Sequence, residues 1–311
     1  MSATGVEMNR TSISLPSEVS NEILQKTQED SAIMQLARKV TLPGRGLTIP
    51  MITSDPEAAW VGETAQKPVS KAGLDTKLMS AYKLAVIVPF SMEFRRDMAN
   101  LYSAMVERLP RSLAKKFDAT VMGVGSKPGD NFDNFASATV QMVNGSDSAS
   151  VYGALVDADT DIAAHGGILN GFMLSPQAKG VLLGETDTTG RPIFVNNVSE
   201  GAIPMLLGSP VKYSKGAYVA GKGGTGSVAP LAPVPDTLGV AGDWTQAMYG
   251  TVEGVQIGIS DQATLTFTDE LEQTVTVNLW QQNMFAVRAE IEIGFRADIS
   301  CFNKIGRTHV E

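Results

Sequence analysis

The sequence predicts an α+β fold, and three patterns of apolar residues carry that prediction. Residues 73–90 place apolar side chains at even positions over a long stretch, which is typical of a strand with one covered face. Apolar residues then recur every three or four positions over residues 94–121, which predicts one long helix. A second alternating run at residues 285–295 predicts another half-buried strand near the C-terminus.

The N-terminal part of the chain has no pattern that would build its own core. Residues 1–45 start with a polar tail, after which Ser17 is the expected N-cap of a short helix. Residues 46–72 are extended pieces interrupted by prolines and glycines, and their apolar side chains are too scattered to pack locally. They suit either a surface loop with isolated apolar residues or an excursion that is buried on another subunit. Trp60 favours the second alternative, because a large exposed apolar side chain usually marks an interaction surface.

The period changes from two to 3.6 at Ser91, where the long helix is expected to begin. Ser91 is the candidate N-cap, and the helix of roughly 30 residues, or about 45 Å, would end at Gly123 and Gly125. Pro110 is expected to kink this helix without stopping it, because the apolar stripe resumes in phase after the proline.

The rest of the chain predicts a mixture of helices and strands. Residues 171–174 are expected to form a short buried strand, and Ser175 to cap a helix that starts at Pro176. Residues 221–243 are rich in glycine and proline, which predicts a loop. Residues 149–164 are expected to be helical, and one side of that helix should carry four apolar residues, Val151, Leu155, Val156 and Ile162.

Composition excludes several classes of protein. The 311 residues include 25 basic and 33 acidic ones, a net charge of −8, whereas a dedicated nucleic-acid binder needs a basic footprint. Cys301 is the only cysteine and the two histidines are far apart, so we expect no internal disulfide and no metal motif built on cysteine or histidine. There is no secretory signal and no apolar run of about 20 residues, so we expect no membrane association and a reducing cytoplasm as the place of synthesis.

Several short motifs resemble known catalytic or ligand-binding motifs, but the surrounding residues that those motifs require are missing. Residues 221–226 match the dinucleotide fingerprint, but the prolines that follow prevent the helix that would hold a pyrophosphate. Residues 157–161 begin like a calcium loop, yet Ile162 stands where that loop needs glycine. Two serine–lysine pairs, at Ser112 and Ser209, lack the companion motifs of penicillin-binding enzymes. The sequence therefore predicts no catalytic, cofactor-binding or metal-binding residue and no enzyme activity.

Several short segments stand in an order that points to one family. In chain order they are Leu15-Pro-Ser-Glu-Val19, Leu47-Thr-Ile-Pro50, Ala59-Trp-Val-Gly-Glu63, Pro68-Val-Ser70, residues 83–91, residues 117–123, Gly190-Arg-Pro-Ile193, residues 206–211, Gly242-Asp-Trp244, and Arg288-Ala-Glu290 with Arg296. This order resembles that of the major capsid proteins of tailed bacteriophages, which have the Hong Kong 97 (HK97) fold. The resemblance extends over nearly the whole chain.

The resemblance implies the division of an HK97-like capsid subunit. Its parts would be an N-terminal arm at 1–45, an extended loop at 46–83, a peripheral domain at 84–148 with a spine helix at 91–123, a mainly axial domain at 149–245, and closing strands at 246–311 shared with the peripheral domain. In such shells the loop and the arm lie across neighbouring subunits. The residues expected to make assembly contacts are Trp60, Val61, Glu63, Ile49, Met51 and Lys67.

The function implied by the resemblance is that of a shell. Pentamers and hexamers of the chain would form an icosahedral shell that encloses double-stranded DNA without sequence-specific binding. The implied partners are further copies of the chain, a portal protein, a separate scaffolding protein and, in some such shells, a decoration protein. The shell would be assembled in the host bacterial cytoplasm and become part of the virion. An encapsulin-type nanocompartment that holds enzyme cargo is an alternative with the same fold, and an acidic α+β enzyme is an alternative from another class.

This chain departs from the pattern of the family in two respects. Many relatives carry an N-terminal scaffolding segment that is later removed, whereas here the arm begins at Met1; either scaffolding is a separate protein or the numbering belongs to a trimmed form. Some relatives form crosslinks through a loop lysine and an asparagine. Lys67, Lys71 and Lys77 lie in or beside the loop, but no asparagine and acid partner can be matched to them.

The net charge is unevenly distributed along the chain. Residues 1–90 carry nine bases and nine acids, residues 91–127 seven bases and four acids, and residues 128–311 nine bases and twenty acids. An acidic shell would repel packed DNA weakly, while the mildly basic spine segment would meet either neighbouring subunits or the genome. The charge thus excludes a dedicated DNA-binding protein but not a protein that holds DNA.

Overall fold

The computed structural model describes residues 13–14, 31–44, 46–54, 60–61, 73–92, 98–143, 151–185, 193–194, 205–222, 234–268 and 274–308. Four α-helices lie in these ranges: α1 (Ala32–Leu36), α2 (Met98–Val121), α3 (Val151–Ala164) and α4 (Pro176–Gly184). The strands up to residue 213 are β1 (Ile13–Ser14), β2 (Arg38–Thr41), β3 (Leu47–Ser54), β4 (Gly73–Met79), β5 (Tyr82–Ser91), β6 (Thr139–Met142), β7 (Gly171–Leu174), β8 (Met205–Leu206) and β9 (Ser209–Tyr213). The later strands are β10 (Asp236–Gly242), β11 (Ala247–Thr251), β12 (Gln256–Ser260), β13 (Thr264–Thr268), β14 (Thr274–Asn278), β15 (Met284–Ala297) and β16 (Phe302–Arg307). Helices and sheets of this kind confirm the predicted α+β class.

The chain divides into two compact units, and three segments contribute to each. The first unit comprises Met1–Ser31, Lys83–Phe117 and Glu253–Glu292. The second unit comprises Ala32–Tyr82, Asp118–Val252 and Ile293–Glu311.

The first unit is built around β15, with which both β12 and β5 pair. β12 runs antiparallel to β15, with Ile257 opposite Ala289, and β1 pairs with β12. Leu109 and Leu113 of α2 form one buried cluster with alternate residues of β15, from Phe285 to Ile291. The even-numbered apolar residues of β5 join the same cluster. The period-2 prediction for residues 285–295 is therefore confirmed, because strand alternation turns one face of β15 to this core.

Helix α2 confirms most of the long-helix prediction. The four later stripe residues that the structure describes are buried: Leu109, Leu113, Phe117 and Val121. The helix runs through Pro110 without interruption and ends at Val121. Gly123 has a φ of +91°, a conformation that favours glycine and ends helices.

The predicted start of that helix at Ser91 stays a prediction, because residues 93–97 lie outside the described residues. Ser91 is the last residue of β5, and its preceding residues alternate between half-buried and exposed side chains up to Pro89. An N-cap residue also has an extended backbone, so this position is compatible with the predicted cap, and the described part of α2 begins at Met98. Phe94 of the predicted stripe lies outside the described residues.

The single long strand predicted at 73–90 is two strands with opposite covered faces. In β5 the even positions are the covered ones, as predicted. In β4 the odd position Met79 is fully buried, whereas Leu78 is exposed. Ser80 and Ala81 interrupt the run, and β4 pairs with β3 while β5 pairs with β15. The two strands therefore serve different layers, which a continuous alternation of residue types does not reveal.

The second unit contains a sheet in the order β6-β16-β10-β7-β9-β8. Helices α3 and α4 contribute Leu155, Ile162 and Leu182 to the core beside this sheet. The short strand β7 is buried at all four positions. The Ala178 backbone N–H donates to the Ser175 side chain, which confirms the predicted N-cap of α4.

Two predictions for this unit need correction. Val156 of α3 is exposed, because Ala154 and Ala158 share the buried side of the helix with Leu155 instead. Part of the predicted loop at 221–243 is the buried strand β10, which pairs with β16 on one side and β7 on the other. Residues 223–233 lie outside the described residues.

An aromatic cluster fills the centre of the second unit. Trp244 stands edge-on to Phe135 and Phe302, with ring centroids 5.9 and 5.3 Å away. The Trp244 indole N–H donates to the Gly171 carbonyl over 3.0 Å, so the buried ring leaves no polar atom unsatisfied.

A buried carboxylate joins distant segments of the same unit. Asp118 is fully buried and accepts from the Ser214 hydroxyl at 2.6 Å and from the Ala32 backbone N–H at 3.2 Å. These partners lie 96 and 86 positions away along the chain.

Within the described part of the chain, no helix combines the length and the apolar character that a membrane span requires.

Candidate assembly surfaces

The hairpin of β3 and β4 in the second unit carries an exposed tryptophan in its connection. The strands pair antiparallel, with Leu47 opposite Met79 and Ile52 opposite Leu74. Trp60 lies between them in sequence and its side chain is fully exposed, with a relative accessibility of 106%. Its neighbour Val61 is also exposed. The subunit therefore presents an indole that it does not cover itself.

The base of this hairpin packs into its own subunit. Ile49 and Met79 form a buried cluster with Leu42. Ile49 is thus a core residue of its own subunit, and its assembly role stays a prediction. The sequence alone did not predict this burial, because the covered face of a hairpin depends on what packs beneath it.

A guanidinium holds the end of β4 in place. Arg296 donates to the Leu78 carbonyl from Nε at 2.9 Å and from a terminal nitrogen at 2.6 Å. The same guanidinium forms an ion pair with Asp133 at 2.8 Å and a hydrogen bond with the Asn131 side chain at 3.1 Å. Both ion-pair partners are nearly buried. The planar fork of arginine suits this arrangement, since it donates to several acceptors in fixed directions.

The other predicted contact residues have different outcomes. Met51 belongs to β3, but its side chain is outside the described residues, as are Glu63 and Lys67 entirely. Their assembly roles stay predictions. Trp60 and Val61 have the exposure that such a role requires.

A second exposed indole, Trp280 in the first unit, was missed from the sequence. It follows β14 and is 74% exposed. Beside it lies an open depression that Met92, Leu279 and Met284 line together with polar residues. A sequence signal existed, because Thr276 and Asn278 of the preceding strand place Trp280 in phase with the polar face.

No catalytic arrangement emerges around the residues with reactive side chains that the structure describes. These residues include no group of three or more histidine, cysteine or acidic side chains placed to hold a metal ion. Cys301 is buried and reduced. Burial raises the pKa of its thiol, and the Asp298 and Asp243 carboxylates raise the pKa further, while a hydrogen bond from Ser300 acts in the opposite direction.

The motifs that the sequence analysis rejected lie in regular helices, strands or extended backbone. Residues 157–161 lie in α3, where Asp161 accepts a hydrogen bond from the Asn303 side chain at 2.9 Å. Ser112 lies in α2 and Ser209 in β9. Lys222 pairs with Val234 in an isolated bridge of extended backbone.

Comparison with known proteins gives one consistent result. A family model described as "Phage capsid family" matches residues 12–297. The chain is 26% identical over 287 residues to "Probable major capsid protein gp17" of Mycobacterium phage D29, covering 91% of this chain and 86% of that protein. It is 27% identical over 292 residues to the protein of the same name from Mycobacterium phage L5, with the same coverages.

A solved structure from Gordonia phage Cozz shows the same fold. The two chains superpose with a TM-score of 0.68 at 19% identity, over 90% of this chain and 87% of the other. The fold is the α+β capsid fold of phages. Trp60 and Trp280 are the exposed indoles that we identified on the surface of the single subunit. Since the family model spans most of its length, the chain belongs to the phage capsid family.

Proposed function

We propose that this chain is the major capsid protein of a tailed bacteriophage, a structural subunit that assembles with copies of itself into the shell of the virion. Family membership over residues 12–297 is the observation that carries this proposal. In its finer form, the proposal is that pentamers and hexamers build an icosahedral shell around double-stranded DNA. The role is structural and not catalytic. No observation favours the encapsulin or the enzyme alternative.

The exposure of Trp60 supports a role in self-assembly. Burying a tryptophan removes about 150–250 Å² from water, and at roughly 25 cal/mol per Å² this is worth about 4 to 6 kcal/mol before the costs of association. An isolated subunit gains none of that free energy, because the Trp60 side chain is fully exposed and not buried in the core of its own subunit. A neighbouring subunit that covers the indole recovers it.

The anchored hairpin supports the same role. The Arg296 hydrogen bonds and the buried cluster of Leu42, Ile49 and Met79 hold the base of the hairpin against the rest of the second unit. A hairpin that is held at its base loses less conformational entropy when it docks than a free segment does. We therefore propose that residues 46–83 act as the extended loop, with Trp60 and Val61 contacting a neighbouring subunit. Glu63, Met51 and Lys67 are proposed to accompany them.

The remaining divisions follow from this assignment. We propose that residues 1–45 form the arm, residues 84–148 the peripheral domain with its spine helix, residues 149–245 most of the axial domain, and residues 246–311 the closing strands. Helix α2 and strand β15 support the spine and closing-strand assignments by their length of 24 and 14 residues. The proposed partners are a separate scaffolding protein, a portal protein and a decoration protein, with assembly in the host bacterial cytoplasm.

Electron microscopy of the purified chain, alone and with its scaffolding protein, tests the proposal. The expected result is closed shells or capsomers. A chain that stays monomeric at high concentration under all of these conditions would contradict a capsid role. Trp60→Phe is the matched control for Trp60→Ala in the same assay, since it keeps an aromatic side chain and should keep most of the assembly.

A further inference from the structure

The six-stranded sheet of the second unit has exposed apolar side chains near both of its ends. Its order β6-β16-β10-β7-β9-β8 makes β6 one edge strand and β8 the other. Strands spaced about 4.8 Å apart separate these two edges by roughly 24 Å. Helix α3 packs over β6, β16 and β10, whereas the hairpin of β8 and β9 forms the opposite end. Each end therefore has a surface of its own.

The surface at the β6 end lies on one side of α3. At about 100° per residue, four exposed residues of this helix fall within an arc of about 60° around its axis: Tyr152, Val156, Asp159 and Ala163. We call these four residues the helix patch. The whole of α3 contains three aspartates and no basic residue. The helix patch is therefore apolar and acidic.

The surface at the β8 end lies on the hairpin. Met205 and Leu207 are exposed, and Pro210 is exposed opposite Met205. Lys212 follows Pro210 by two positions, so both side chains lie on the same face of β9. We call Met205, Leu207, Pro210 and Lys212 the tip patch. Residues 205–217 contain two lysines and no acid, so the tip patch is apolar and basic.

The turn of this hairpin holds a leucine in a conformation that leucine disfavours. Leu206 is opposite Ser209, so Leu207 and Gly208 form a two-residue turn, and their φ values are +48° and +78°. Asparagine and aspartate are the residues that normally precede glycine in such a turn. The hairpin thus places an apolar side chain at the edge of the sheet at a cost in backbone strain, which is typical of positions with a role in binding.

We propose that the helix patch of one subunit docks on the tip patch of the next copy of the chain, so that every copy uses both patches. This inference rests on the proposed function, since it needs a subunit that assembles with its own copies. The two patches differ from each other and lie toward opposite ends of one sheet. A head-to-tail contact of this kind closes copies into a ring when the rotation between them is right.

The charges of the two patches favour a second copy over an unrelated protein. Asp159 lies in the helix patch and Lys212 in the tip patch, and neither side chain has an ion-pair partner among the described residues. Opposite charges on two docking surfaces select the partner and fix its register. Both halves of this match are present on the same chain, and no second protein is needed to supply either of them.

Two cysteine substitutions in the full-length chain test the contact directly. V156C introduces a thiol in the helix patch and L207C one in the tip patch. Cys301 is buried, so a short bismaleimide reaches only the introduced thiols of the folded chain. In assembled shells we expect V156C/L207C to form a ladder of covalent oligomers up to the pentamer and the hexamer. The single variants V156C and L207C are the controls and should stay monomeric.

The possible outcomes separate this contact from the capsid role. Covalent dimers of V156C alone would show a twofold contact between helix patches and overturn the proposal. Shells of V156C/L207C that give no ladder would overturn the contact but leave the capsid role unaffected. Maleimide labelling of both positions as fast in shells as in free subunits would leave the patches to another protein, and it would also overturn the contact. Failure of the unmodified chain to form shells would instead contradict the capsid role.

A charge-reversal cycle tests the pairing of the two patches. D159K and K212D each set like charges opposite each other, so each is expected to raise the threshold concentration for assembly by about ten-fold. The combined variant D159K/K212D restores opposite charges and should return the threshold close to that of the unmodified chain. D157K changes an exposed position on another side of α3 and is the matched control. Losses that add in the combined variant would overturn the pairing.

L207N separates the contact from the folding of the subunit. Asparagine suits the positive φ of this turn, so the thermal unfolding midpoint of the free subunit should stay the same or rise. The threshold concentration for assembly should rise nonetheless, because the apolar contact with the next copy is lost. A lower midpoint with an unchanged threshold would make Leu207 a packing residue of its own subunit and overturn its role in the contact.

Discussion

Two tryptophans of the second unit, Trp244 and Trp60, have opposite surroundings. Trp244 is 3% exposed, stands among phenylalanine rings and donates its indole N–H to Gly171. Trp60 is fully exposed on the connection of a hairpin whose base is anchored by Arg296. The first indole stabilises the subunit, whereas the second has no stabilising role until another surface covers it. The subunit thus contains one tryptophan that folds it and one that it leaves exposed, for which we propose a contact with a neighbouring subunit.

Trp244→Ala should have the largest effect on subunit stability. Removing the ring leaves a cavity beside Phe135 and Phe302, which should lower the free energy of unfolding by about 3–5 kcal/mol. Chemical denaturation of the unassembled chain measures this loss. Alkylation of Cys301 gives a second measurement, because burial raises the pKa of that thiol and protects it in the folded state. Labelling should be slow in the unmodified chain and accelerate in the variant. A variant as stable as the unmodified chain would contradict the assignment of Trp244 to the core.

Leu109→Ala should have a similar or somewhat smaller effect through the first unit. Leu109 is 2% exposed and packs with β15, so truncation should lower the free energy of unfolding by about 2–5 kcal/mol. The measurement is again denaturant unfolding. Arg108→Gln, at the neighbouring exposed position, is the control and should change stability by less than about 0.5 kcal/mol.

Ser175→Ala should cost about 1 kcal/mol, since it removes the side chain that accepts from the Ala178 backbone N–H at the start of α4. Ser175→Gly is the matched control, because glycine at an N-cap costs only roughly a few tenths of a kcal/mol and adds neither charge nor volume at this fully buried position. Hydrogen exchange of the first turn of α4 reports the change directly. Unchanged exchange in the alanine variant would show that the cap contributes nothing to this helix.

Trp60→Ala should have the smallest effect on the subunit, within about 0.5 kcal/mol, because an exposed side chain has few contacts to lose. Its effect should appear in the shell, as a higher concentration threshold for assembly and a lower temperature of shell disruption. Light scattering and calorimetry of shells measure both quantities. Equal destabilisation of the subunit and the shell would show that Trp60 is an ordinary core residue, and the contrast with Trp244 would disappear.

How far the sequence predicted the structure depended on whether an element's surroundings were local. The apolar stripe of α2 and the alternation in β5 and β15 each arise because one side of the element packs on one neighbouring layer. The buried sides of these elements were therefore predicted correctly. The reversed covered face of β4 was not predictable, because Met79 is buried by packing with Leu42, far away in the chain. The burial of Ile49 in the same cluster was not predictable for the same reason.

The candidate surfaces were predicted in part. Trp60 was identifiable because prolines and glycines on both sides leave it without a local element to pack on. Trp280 was missed because it follows an ordinary strand, and only its phase with polar positions marks it as exposed.

The sequence by itself determined the fold class, the long helix, the half-buried strand near the C-terminus and the family, because each depends on the periodicity of residue types or on their order along the chain. Only the tertiary structure decided how distant segments meet, as in the Arg296 contacts to Leu78 and Asp133 and the Asp118 contacts to Ala32 and Ser214. These contacts join positions between 86 and 218 residues apart. The physical reason is that periodicity records which face of an element is covered, while the partner that covers it is selected by the packing of the whole chain.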